Sequence, residues 1–189
     1  MLRFAGLALL LAVAPAAVAA PPATPAQSNA AGNFTAGAWR GGPVTDSSGQ
    51  AQACAMFAPA GGGMELFFRL SNSFDFSLGL VNRRWNLSTS TTVPMVYRID
   101  GGTPVEVQGR VTRSDTLLID ITDRESIFQS FRRGLWLYLS SQGANARFSL
   151  KGTSVALEQL RVCATALAAS APQAPQAPPP TNEPPRGGK

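Results

Sequence analysis

Leu150-Lys151-Gly152-Thr153-Ser154-Val155-Ala156-Leu157-Glu158-Gln159-Leu160-Arg161-Val162-Cys163 reads as the end of a strand, a turn and a helix. Gly152 permits the turn, and Thr153 or Ser154 can accept a hydrogen bond from an orphan N–H of the first helical turn. Ala156, Leu160, Cys163, Ala164 and Leu167 recur at the spacing of one helix face, with Glu158, Arg161 and Thr165 opposite. Such a helix has to lie on something apolar, and it carries one sulfur on its covered side. The other of the two cysteines is Cys54, near the start of the regularly patterned sequence. A bridge between them ties the two ends of the fold together.

The N-terminus gives a reason to expect that bridge to form. Arg3 is followed by an apolar run from Phe4 to Val13 and by the small residues Val18, Ala19 and Ala20, the pattern of a signal peptide cut after Ala20. The chain is therefore expected to be exported, to the periplasm, the outer-membrane surface or the medium, where two cysteines read as one disulfide, Cys54 to Cys163. No stretch of the mature chain is long and apolar enough for a transmembrane helix. Residues 21–33 and 169–189 are rich in Pro, Ala, Gln, Thr and Ser without apolar period. They read as a disordered leader and a Pro-rich disordered tail around a single domain at 34–168.

Within that domain the period is two. Met64, Leu66, Phe68 and Leu70 alternate with Glu65, Phe67 and Arg69, and after a polar break Phe74, Phe76, Leu78 and Leu80 alternate with Asp75, Ser77 and Gly79, which predicts a hairpin. Val93, Met95, Tyr97 and Ile99, the turn Asp100-Gly101-Gly102, and Val105, Val107 and Val111 predict another, with Pro94 at an edge or strand end. Leu117, Ile119 and Ile121 make a further strand. Thr122 to Glu125 then resembles a capping box opening a short helix with Ile127, Phe128 and Phe131 on one face and Gly134 as its stop. Leu135 to Leu139 is apolar on both faces and reads as an interior strand covered on each side. Phe148 and Leu150 close the set. With the segment around Cys54 this predicts a mostly β protein, an antiparallel β-sandwich or partly open barrel of about eight strands, with a short helix and a C-terminal helix.

Trp39, Cys54, the turn Tyr97-Arg98-Ile99-Asp100-Gly101-Gly102, the segment Gly134-Leu135-Trp136-Leu137, and Phe148-Ser149-Leu150-Lys151-Gly152 followed by Ala156, Leu157 and Leu160 form an ordered set. Together they resemble the invasion-associated locus B family of exported bacterial proteins. The resemblance implies a periplasmic or outer-membrane-associated β-sandwich, linked in pathogenic members to host-cell colonisation and assigned no reaction. Family members commonly carry an additional cysteine pair after the Asp-Gly-Gly turn, where this chain has none.

Composition narrows the chemistry. The 189 residues include no histidine, which removes His-based triads, His-ligated metals and the usual base near neutral pH. A disulfide leaves no thiol, Gly61 to Gly63 lack the lysine of a phosphate loop, and no cofactor is expected. The net charge of +5 favours anionic surfaces, but the basic residues form no stripe, so nucleic acid is not an expected partner. Two constellations stand out. Asp120, Asp123 and Glu125 could bind a hard cation such as calcium or act as acid and base on a glycan, against the plainer reading that Asp123 and Glu125 cap a helix. Arg83, Arg84 and Trp85 could hold an anion or a sugar, against the reading of Trp85 as a core plug. The expected function is non-enzymatic: a domain that binds an envelope component or a partner protein. The alternatives are a carboxylate-dependent hydrolase of envelope polysaccharide and an anion- or glycan-binding module.

Overall fold

A computed structural model describes residues 27–28, 32–121 and 124–170. The predicted signal peptide and most of the leader and tail lie outside them. So do Thr122 and Asp123. Among the described residues the chain runs β1 (Gln27–Ser28), β2 (Phe34–Ala36), β3 (Trp39–Thr45), β4 (Ala51–Pro59), β5 (Met64–Ser71), β6 (Phe76–Asn82), β7 (Thr92–Ile99), β8 (Val105–Arg113), β9 (Thr116–Asp120), α1 (Arg124–Arg133), β10 (Trp136–Ser141), β11 (Ala144–Ser149) and α2 (Thr153–Ser170). The strands form one antiparallel sheet in the order β1-β2-β3-β4-β5-β6-β9-β8-β7-β10-β11, which does not close on itself.

Both predicted hairpins are present. Leu66, Phe68 and Leu70 stand opposite Leu80, Leu78 and Phe76, and β7 pairs β8 across the Asp100 turn. The meander β7-β8-β9 returns its last strand beside β6, which is a Greek-key arrangement. Inward residues of β2 to β7 and β9 to β11 meet in a single core, with Val107 of β8 packed against it. The end of β11 lies across a narrow gap from the end of β4 at Ala58 to Gly61. The sheet is therefore curled about its own interior, as a partly open barrel.

The opening is filled by the helices. Phe131 of α1 is fully buried among Phe68, Phe76 and Tyr97, with ring centres 4.8, 6.2 and 6.4 Å away. Helix α2 lays Ala156, Leu157, Leu160, Cys163 and Ala164 into the core, a face one residue wider than the predicted one because Leu157 also turns inward. On its outer side a hydrogen bond from Arg161 holds the Glu158 carboxyl below its usual range. Cys54 and Cys163 form the expected disulfide, with Cα atoms 6.1 Å apart. At the N-terminal end of α2, the Trp39 indole N–H donates to the Lys151 carbonyl at 3.2 Å, so the second fastening between chain start and chain end is a hydrogen bond.

Several details differ from the sequence reading. Neither Thr153 nor Ser154 caps α2. Gly152, at φ 83°, occupies that position and its carbonyl accepts from the Ala156 N–H, while among the described residues the buried Thr153 hydroxyl has no hydrogen-bond partner. The turn is set by Trp39 binding Lys151 and by the Thr153 N–H binding Leu150, which draws Thr153 inward. Gly134 ends α1 through close packing: a side chain there would collide with Ile99. Strands β2 and β3 go beyond the predicted set, and Gln27–Ser28, inside the expected leader, pairs with β2. Strand β10 is interior in the sheet, between β7 and β11, but it is not covered on both faces: Trp136 is 36 % exposed.

Candidate functional site

The two constellations singled out by sequence lie in different surroundings. Arg83 and Arg84 are exposed in the turn after β6, where the Arg84 N–H donates to the Asn82 side chain. Trp85 turns the other way and packs half-buried against the core. It lines a hollow of roughly 510 Å³ with Met64, Leu80, Val93, Met95 and Leu139, at the mouth of the curled sheet. The indole and the two guanidinium groups are thus divided between an apolar hollow and solvent.

Asp120 lies exposed at the end of β9, where it accepts from Arg110 at 2.9 Å and from the Ser77 hydroxyl at 3.1 Å. Glu125, in the first turn of α1, accepts from Gln129 at 2.9 Å. Asp123 lies outside the described residues. Among the described residues no group of three or more cysteine or carboxylate side chains is placed to hold a metal ion. Asp120 does border a cleft of about 780 Å³ between α1 and the β7–β8 turn, together with Asp100, Glu106 and Arg133.

A third constellation emerges only from the sheet register. On the outer face, Tyr138 of β10 stands opposite Arg98 of β7 on one side and Arg147 of β11 on the other. The Arg98 guanidinium lies over the Tyr138 ring, 4.8 Å from its centre. Arg147 reaches diagonally to Trp136, 4.2 Å from the ring centre. Diagonal neighbours on one face of a sheet are within reach of such long side chains. A guanidinium flat on an aromatic ring gains cation–π energy while its N–H edges stay free for an acceptor. Among the described residues neither arginine forms an ion pair with a carboxylate. Val96, Pro104, Ser140 and Asn145 border a shallow hollow of about 300 Å³ beside Arg98 and Tyr138.

The entry of β10 into this face is fixed by Asp100. Its carboxylate accepts from the N–H groups of Leu135, at 3.1 Å, and Trp136, at 2.8 Å, while its own N–H donates to the Trp136 carbonyl at 2.9 Å. Asp100 sits at φ 48°, a left-handed conformation that Asp and Asn tolerate better than other side chains. Asp100→Ala removes both acceptor contacts and strains the turn, so it is expected to cost about 1–3 kcal/mol, and Asp100→Asn, which keeps an acceptor oxygen, less than half of that. Urea denaturation of the two variants measures the difference.

No protein-family model matches the chain, and no curated protein matches it either. Among solved structures it is similar to invasion associated protein B from Bartonella henselae, at a TM-score of 0.51 and 19 % sequence identity, over 69 % of this chain and 95 % of that one. The similarity takes in nearly all of the Bartonella chain. The resemblance read from Trp39, Cys54, the Asp100 turn and the Leu150–Gly152 segment is thus met in three dimensions, and the chain carries the fold of invasion associated protein B.

Proposed function

We propose that this chain is an exported, non-enzymatic domain of the bacterial envelope that works by contact with an envelope component or a partner protein. The observation that carries this reading is the outer face of β7, β10 and β11, where two aromatic rings and two guanidinium groups, without carboxylate partners among the described residues, are presented from strands of the sheet. Side chains fixed on a sheet lose little freedom on binding, so such a face suits recognition. The fold shared with invasion associated protein B supports the same class of role. Fold alone does not assign it.

The cleft beside α1 favours the hydrolase reading as a second choice, since Asp120 borders it. Asp120 is exposed and its carboxylate is engaged by Arg110 and the Ser77 hydroxyl, the arrangement of a structural partner on the sheet surface. Co-sedimentation separates the two. The purified protein is expected to pellet with isolated outer-membrane or peptidoglycan fractions and to leave their glycans intact. Failure to pellet with either, or release of sugar fragments that stops in Asp120→Ala, would overturn the binding reading.

A further inference from the structure

We infer that the outer face of β7, β10 and β11 binds an anionic glycan, with Arg98 and Arg147 gripping sulfate or phosphate groups carried on the sugar. This rests on the reading of the chain as an envelope-binding domain and names the ligand class of that same face.

The register supplies the spacing. Arg98 and Arg147 flank Tyr138 from the strands on either side, and strands lie about 4.8 Å apart, so the two guanidinium groups stand roughly 10 Å apart at their backbone origins. Each is braced against a ring: Arg98 on Tyr138 and Arg147 on Trp136. A braced guanidinium offers a planar fork of donors that matches two oxygens of a tetrahedral anion. Two forks at a fixed separation suit a ligand with more than one anionic group along its length.

Two carboxylates border this face. Asp100, at the end of β7, is occupied by the N–H groups of Leu135 and Trp136. Glu106 stands opposite Val96 on the same face, a diagonal neighbour of Arg98, and among the described residues it forms no ion pair. The polar residues beside the arginines are Ser140 and Asn145, at the shallow hollow, and Ser149, opposite Trp136. Hydroxyl and amide groups are the partners that sugar hydroxyls require. The surface therefore combines anion grips with neutral hydrogen-bonding groups and exposed ring edge, a combination that fits a charged sugar better than a bare polyanion.

Isothermal titration with heparin, with lipopolysaccharide and with dephosphorylated lipopolysaccharide tests this. Wild-type protein is expected to bind heparin or intact lipopolysaccharide. Binding of heparin alone assigns sulfate, and binding of intact but not dephosphorylated lipopolysaccharide assigns phosphate. Arg98→Ala/Arg147→Ala should weaken binding at least about tenfold, as expected for loss of charge-assisted hydrogen bonds. Arg98→Lys/Arg147→Lys should weaken it about threefold or more, because the charge stays but the planar stacked fork is lost. Arg83→Ala/Arg84→Ala removes the same charge elsewhere and should leave affinity within about twofold, with circular dichroism confirming that every variant is folded.

The assignment is overturned if the lysine pair binds like wild type, if the Arg83/Arg84 variant loses as much, or if a single-stranded oligonucleotide of equal charge binds as tightly as the glycans. Wild-type protein that pellets with envelope fractions but ignores every glycan defeats this inference alone. Protein that does neither defeats the broader reading as well.

Discussion

Replacing Cys54 and Cys163 together by alanine is expected to lower the unfolding free energy by about 3–5 kcal/mol, with a fall in Tm of 10 °C or more. The bridge spans 109 residues, so in its absence the unfolded chain regains the freedom of a very long loop. Chain-entropy reasoning for loops of that size gives about 4–5 kcal/mol, and native bridges commonly deliver somewhat less. Both side chains are buried, Cys54 fully, so alanine adds small cavities and no unsatisfied polar group. Equilibrium urea denaturation of wild type, with and without reductant, and of the double alanine variant measures the effect. Reduced wild type and the variant should unfold at nearly the same midpoint. A shift below about 1 kcal/mol in both would mean that α2 is held by its apolar face alone.

The second large effect is expected at Phe131. Its ring is fully buried and meets Phe68 edge-on at 4.8 Å, with Phe76 and Tyr97 on further sides. Phe131→Ala leaves a cavity at the point where α1 enters the curled sheet, which costs about 3–5 kcal/mol. Phe131→Leu retains much of the volume and should cost about 1–2 kcal/mol. The loss is also expected to be local. Ile127 and Phe128, the other apolar contacts of α1, are only partly buried, so the helix should open before the sheet does. Hydrogen exchange in Phe131→Ala should then quicken across Arg124–Arg133 more than across β5 and β6. Uniform acceleration of the whole domain would show that α1 and the sheet open as one unit.

These two positions illustrate which parts of the molecule could be read from the chain. The hairpins were legible because Leu66, Phe68, Leu70, Phe76, Leu78 and Leu80, and then Val93 to Val111, recur at period two, which follows directly from strand geometry, although Phe74 lies exposed in the turn and not in the strand. The disulfide was legible because two cysteines allow one pairing. Strand β3 was not, since Gly41, Gly42 and Pro43 look like a break. In the fold Gly41 lies beneath the Phe34 ring and Gly42 against Asn33, so the missing side chains make room for neighbours instead of making a turn. Strand β10 misled in the other direction. Trp136 and Tyr138 signal burial by composition, yet what lies on them is a pair of guanidinium groups, not a layer of core. The Arg98, Tyr138, Arg147 and Trp136 surface could not be found along the chain at all, because its members come from three strands whose neighbours are set by tertiary pairing. An arginine in each of two outward strand positions was the only linear trace of it.

The bond from Trp39 to Lys151 joins residues 112 positions apart, close to the span of the sulfur link from Cys54 to Cys163. Because one clasp waits for the turn before the last helix and the other for that helix itself, a nascent chain cannot fasten its first strands as they emerge. Those strands must stay unfinished until almost everything has been synthesised, and a fold so dependent on distant partners is expected to mature slowly. A polypeptide stopped short of Thr153 would leave the faces of β3 and β4 against which α2 packs open to water, and proteases should distinguish it at once from the full-length form.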